Sequence, residues 1–513
     1  MVDRCGSVGT IGVAVLLALA ATGCRGPQEQ LRDGGISSKS QETEAALQEA
    51  EGLYERVAAE RLIIATDPLE RTVGSATLIN SLLDRERYDD LFLLGDSAFE
   101  QEASRRIGAG PRSSAGTEAI GLVSNRVQRG DLGGFDSGSC RSCHFGGGPD
   151  GSGSASQVTF FRGNGQDSRT AITRDPPHVM GLGYIQIAAR QIERRLQQTA
   201  ELASQQAAAM NEPVELALNA YGSSYGYIRA NADGTLDHAG VKGVSEDLRV
   251  RPFGHKGRYR DLVTLSEDSL QIHFGIQPPG RAERFSDRPE SHLGEGPTHD
   301  RDQDGIEHEV PREHALLLAI YMAMLPVPEM RPPEDPRLQA AWARGQQRFE
   351  TIGCADCHRP QTRLNDMVIQ IDETSGIELD LAAVGIEPRP RQTDVSPDAD
   401  GVIPGGTPIF AYTDFKRHDL GPALADSRTE VLPESVPGSV PPQEWLTRPL
   451  WGVADTAPYM HDGRAATLKE AITLHGGAAE STSAAFSELE AREQAELLVF
   501  LNSLTRSPTL LVE

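Results

Sequence analysis

The sequence predicts a mainly α-helical chain: two tandem modules with long loops, preceded by an N-terminal helical segment. Three observations predict it. The unit Cys-x-x-Cys-His occurs twice, at Cys140, Cys143, His144 and at Cys354, Cys357, His358, with Phe135 and Phe349 each five residues ahead of the first Cys. Apolar residues recur at helical spacing in several windows. The 52 glycines and 32 prolines gather largely between those windows, and 513 residues suffice for two or three domains.

Taken in order, residues 1–23 read as an export signal: one Arg, an apolar run from Val8 to Thr22, then Gly23-Cys24. Cys24 would be the lipidated first residue of the mature chain, which puts the protein on the periplasmic side of a bacterial membrane; the alternative is a soluble secreted protein beginning near the same place. Residues 24–110 are expected to be a polar tether and a helical segment, with a surface helix over 42–64. Residues 111–334 and 335–513 form the two modules. Helices are predicted over 182–210, from Ile185, Ile192 and Leu196; over 312–325, as a buried apolar helix; over 335–351, with Leu338, Trp342 and Phe349 on one side and Gly353 ending it; and over 487–504, from Leu489, Leu497, Phe500, Leu501 and Leu504. Pro278–Glu309 and Asp372–Thr407 are expected to be surface loops, with few strands anywhere.

Apart from Cys5 in the signal and Cys24, every cysteine lies in a Cys-x-x-Cys-His unit. Two thiols at that spacing can add across the two vinyl groups of one haem, and the His that follows can ligate its iron. Paired cysteines also build four-thiolate zinc sites and redox disulfides, but neither needs a His after both pairs. The expectation is two covalently bound haem c groups, with His144 and His358 as iron ligands. The formal charge of −25 argues against a nucleic-acid partner. His299 to Glu309 places Asp300, Asp302 and Asp304 at alternate positions before Gly305, a possible calcium loop, although the twelfth position of an EF-hand would fall on Pro311.

From about Gly130 to Leu504 the chain resembles the di-haem oxidoreductase family, relatives of the bacterial di-haem cytochrome c peroxidases. The resemblance rests on Tyr412 to Pro422, on Glu444 to Gly452, and on Ala457 to Arg464 continuing to His475-Gly476-Gly477. It implies two cytochrome c-like haem domains. The N-terminal one would react with hydrogen peroxide or a similar small oxidant, and the C-terminal one would pass on electrons from a soluble or membrane-bound cytochrome or cupredoxin. In the peroxidases a Met stands where this chain has His475, so the resemblance implies His358 and His475 as the two axial ligands of the second haem, and a lower reduction potential, since methionine ligation raises it. Met460, His418 and His461 are the rivals for that position. Arg174 to Gly183 resembles the segment on the distal side of the peroxide-reacting haem, which makes His178 the candidate catalytic group. His255 stands where the family has an inter-haem Trp, Gln186 where members tend to have Glu, and Phe160 where a switchable His would lie. The first iron would then be open on one face, unless His178, Met180 or His273 fills it; in that case the chain is a di-haem electron-transfer protein with no substrate of its own.

Overall fold

The computed structural model describes residues 79–103, 127–129, 136–154, 157–164, 167–279, 309–384, 406–426, 430–431 and 439–506. The export signal, Cys24, the tether, the 42–64 helix and the Asp300, Asp302, Asp304 loop lie outside the described residues. All that is described belongs to one compact unit, Ala59–Glu513.

The helices are α1 (Tyr88–Glu100), α2 (Cys140–Cys143), α3 (Leu182–Met210), α4 (Leu262–Ser269), α5 (Arg312–Met324), α6 (Pro336–Thr351), α7 (Leu468–Leu474), α8 (Glu480–Glu488) and α9 (Ala491–Leu501). A π-helical turn, Leu270–Phe274, extends α4. The expectation of a mainly α fold in two tandem cytochrome c-like domains does not hold. Among the described residues helix accounts for 42% and strand for 17%, the strands forming several small sheets. The cores do not divide into two such domains either. The main core runs from Ile79 in the N-terminal half to Leu379, Phe415 and Trp451 in the C-terminal half, while a smaller one gathers Phe349, Tyr412, Phe486, Leu497 and Phe500.

The strongest departure is the antiparallel sheet of β1 (Val214–Ala220), β2 (Ser223–Ala230) and β3 (Leu236–Asp237), which stands against α3. In β2 inward and outward residues alternate on either side of Gly226-Tyr227, with Tyr225, Ile228 and Ala230 fully buried. Tyr221 and Gly222 make the turn with positive φ at both positions, a mirror-image hairpin turn that matches strand twist. The Asp372–Thr407 stretch also contains structure, since Glu378–Asp380 pairs antiparallel with Val368–Gln370.

Helices α3, α5 and α6 fall where sequence periodicity predicts them, within a residue or two. In α6, Asp335 caps the start, Phe349 is buried, and Trp342 donates its indole N–H to Ser503 Oγ at 2.8 Å, but Leu338 stays 47% exposed. The predicted 487–504 helix is two helices, because the extended Leu489 and Glu490 end α8 and start α9. Helices α6 and α9 pack face to face. Buried Glu496 on α9 receives Arg344, Arg348 and Arg492, and Gly345 lies so close that a Cβ would sit 2.0 Å from the Glu496 carbonyl oxygen.

That contact generates a prediction. Gly345→Ala must push α6 and α9 apart, at a cost of about 1–3 kcal/mol, the usual range for overpacking. Thermal unfolding followed by circular dichroism should show a lower Tm, and an unchanged Tm would contradict the packing described.

Candidate functional site

Each Cys-x-x-Cys-His unit lines its own cavity. The first cavity, about 240 Å³, is lined by Cys140, Cys143 and His144 with Phe99, Leu182, Phe253 and His273, among others; the second, about 370 Å³, has Cys354, Cys357, His358, His418 and His475.

Local structure fixes the first motif at both ends. Ser139 caps α2, accepting from the Ser142 N–H. Arg141, one of the two residues between the cysteines, donates to Tyr321 Oη on α5 at 2.9 Å and to Asp96 on α1, while Tyr321 donates to Asp150 Oδ1 at 2.7 Å. The motif is thereby tied to two helices. At the second motif Gly353, with φ +95°, ends α6 and lets the chain turn into the short helical turn Cys354–Asp356.

The histidines share one device. His144 Nδ1 lies 2.9 Å from the Pro177 carbonyl oxygen, His358 Nδ1 3.1 Å from that of Tyr412, and His475 Nδ1 2.8 Å from that of Ala471. A carbonyl only accepts, so each Nδ1 carries the hydrogen and each Nε2 keeps its lone pair. Burial, and then the neighbouring His273, pull His144 down to about 4; burial and His475 do the same to His358; burial lowers His475 as well. All three stay neutral, as a metal-ligating imidazole must.

These residues fit haem. Two imidazoles on one metal, with bonds of about 2 Å, hold their ring centroids roughly 6–6.5 Å apart, and His358 and His475 stand at 6.5 Å. Two of the three rivals are committed elsewhere. His418 Nε2 lies 2.8 Å from Asp414 Oδ2, and although burial pulls His418 down, its hydrogen bonds to Asp414 and Cys357 lift it to about 9. His461 stacks on Trp445 at 3.8 Å between ring centroids. Met460 lines the same cavity with φ +74°. Burial pushes the Cys140 and Cys354 thiols up to about 12, with Cys143 adding to the first effect. Among the described residues the only cluster of three metal-type ligands is Cys357, Asp414 and His418, and none joins the two cysteine pairs.

Around the first cavity, Gln186 is a structural residue, donating to the Gln370 and Ile371 carbonyls and accepting from the Leu262 N–H. His178 has both ring nitrogens engaged: Nε2 with the Trp451 carbonyl at 3.0 Å, and Nδ1 with the Met180 N–H at 3.3 Å. His273, on the π-helical turn, sets Nδ1 3.3 Å from Asp136 Oδ1, and Gln128 ties Asp136 to the Ile272 carbonyl.

Asp175, His178, His255 and Arg448 line both cavities. Sequence reading passed over Asp175 and Arg448, which sit unmarked inside longer quoted segments. Burial, reinforced by Asp462, pushes Asp175 up to about 8, and its Oδ1 is buried without a partner. His255 bonds the Asp175 carbonyl through Nε2 at 3.0 Å and is held well below its usual range by burial and by Arg448.

Residues 393–504 match a family model described as "Di-haem oxidoreductase, putative peroxidase". Among solved structures the chain is similar to hydrazine synthase of Kuenenia stuttgartiensis pressurised with xenon, at 20% identity and a TM-score of 0.23, over 43% of this chain and 66% of that one; so slight a likeness carries no argument. It spans just under two thirds of that protein's chain. Among curated proteins nothing matches. The family match takes in His418, Trp445, Arg448, His461 and His475, so the C-terminal part of this chain is similar to the di-haem oxidoreductases.

Proposed function

We propose that the protein is an exported di-haem c-type oxidoreductase that reduces hydrogen peroxide or a similar small oxidant. One observation carries the reading: each Cys-x-x-Cys-His unit lines its own cavity and offers it an imidazole Nε2 whose partner nitrogen is held by a backbone carbonyl. In this reading Cys140 and Cys143 bind one haem with His144 as its ligand. Cys354 and Cys357 bind the other, with His358 and His475 as axial pair. When bound, haem supplies one-electron chemistry and a face for the oxidant.

The remaining steps belong to the chain. Arg141, Tyr321 and Asp150 hold the first motif, Phe99 packs on the His144 ring at 5.9 Å, and the Pro177 carbonyl sets the direction of its Nε2. Reducing one peroxide to two waters consumes two electrons and two protons. His178, the candidate from sequence, holds both nitrogens in backbone bonds, so Asp175, protonated to about pH 8, is the better proton store beside the cavities. Electrons would enter at the second haem from a cytochrome or cupredoxin docking by a basic patch, as the charge of −25 favours. Anchoring through lipid on Cys24, on the periplasmic side, is part of the same proposal.

A second reading, electron transfer with both irons six-coordinate, is favoured by His273, which lines the first cavity with its Nδ1 held by Asp136. Electron paramagnetic resonance of the oxidised protein separates the two. The peroxidase reading predicts one high-spin and one low-spin ferric signal, with peroxide oxidising the reduced protein. Two low-spin signals and no reaction with peroxide would leave the carrier. In either case His475→Met should raise the potential of the second haem in a redox titration; no change would remove His475 as a ligand.

A further inference from the structure

Arg448 follows the strand Glu444–Leu446, which pairs with Arg417–Asp419, and its backbone is fixed on both sides. The Thr447 N–H donates to the Lys416 carbonyl and the Leu450 N–H to that of Ala411. The side chain is half-buried and lines both cavities.

Its guanidinium forms no hydrogen bond or ion pair with any described residue, and burial alone perturbs it, pulling it down to about 10. It therefore stays charged at neutral pH. The other buried cations behave differently. Arg174 and Lys256 meet Asp426, Arg251 meets Asp247, and Arg258 meets Asp268, at 2.6–3.3 Å. Nor do the neighbours on the shared wall compensate it. His178 and His255 are held neutral by burial and by Arg448 itself, and Asp175 is protonated at neutral pH. A buried charge left unpaired is strongly destabilising. An anion must meet it, and that anion must be reachable from both cavities.

We infer that Arg448 is a carboxylate-binding site shared by the two cavities and filled by haem propionate groups, so that one guanidinium couples the two cofactors. This rests on the haem reading above. Guanidinium offers two parallel N–H donors to a carboxylate, a geometry Lys lacks. A fixed positive charge beside both cofactors favours their reduced forms, because reduction adds an electron next to it. The same site could take the carboxylate of a small substrate, and the test distinguishes these sources.

The experiment compares the holoprotein with Arg448→Gln and Arg448→Lys by redox titration, with the mass of each denatured chain measured alongside. The proposal expects full haem in all three. It also expects at least one haem of the Gln variant to lose about tenfold in its reduction equilibrium, a fall of about 59 mV for one electron, and a smaller fall in the Lys variant. Unchanged potentials in a fully loaded Gln variant overturn it. So does the following combination: added formate perturbs the wild-type haem spectrum, Gln abolishes that response, and the potentials do not move, which assigns the site to a small carboxylate. Should the wild type itself carry no haem, it is the functional reading that fails. A Gln variant too unstable to load haem is covered by the Lys variant, whose potentials must then lie below the wild type.

Discussion

A buried imidazole can serve a metal only if something holds its other nitrogen, and the rest of this structure depends on that constraint. Three backbone carbonyls, of Pro177, Tyr412 and Ala471, supply it. Each comes from a different element, so placing the three histidines requires the long-range packing of the chain. Pro177 lies in the extended stretch before α3. Tyr412 adopts positive φ beside the smaller core, where its ring packs against Phe349 and Phe500. Ala471 lies one helical turn before His475 on α7, whose start is fixed by the Thr467–Glu470 capping box. Packing energy spent far from the cavities thus fixes the direction of three lone pairs.

Much of the site was legible because its chemistry is written at short range. Two cysteines and a histidine within five residues must share one neighbourhood whatever the fold, and both units do. His475 was legible only through the family resemblance, in which it stands where the peroxidases have a Met; its 6.5 Å ring separation from His358 depends on the turn after α7, which no short-range pattern encodes. Helices α3 and α6 were legible because one apolar stripe decides each of them, and α5 because it is apolar nearly all round. The hairpin of β1 and β2 was not read, although Val214, Leu216, Leu218 and Ala220 alternate with Glu215, Ala217 and Asn219; its burial comes from long-range packing on α3. The fold class failed for a related reason: a repeated motif suggested repeated domains, whereas the main core draws on both halves of the chain.

The wall between the cavities was the least legible part. Asp175 with His178, His255, and Arg448 come from three distant points in the sequence, and their protonation follows from shared burial rather than from residue type. An acid protonated near neutral pH, two neutral imidazoles and one cation occupy a partition that a sequence would suggest to be far more highly charged. His255 serves there as a hydrogen-bond partner of the Asp175 backbone.

The central claim is that each of two cavities holds a haem bonded to its own pair of cysteines. The most direct measurement is the mass of the exported protein after denaturation, together with the masses of its proteolytic peptides. The account predicts a chain heavier by two haems, with one on the peptide containing Cys140 and Cys143 and one on the peptide containing Cys354 and Cys357. A chain of bare polypeptide mass with four alkylatable thiols in these pairs would contradict it.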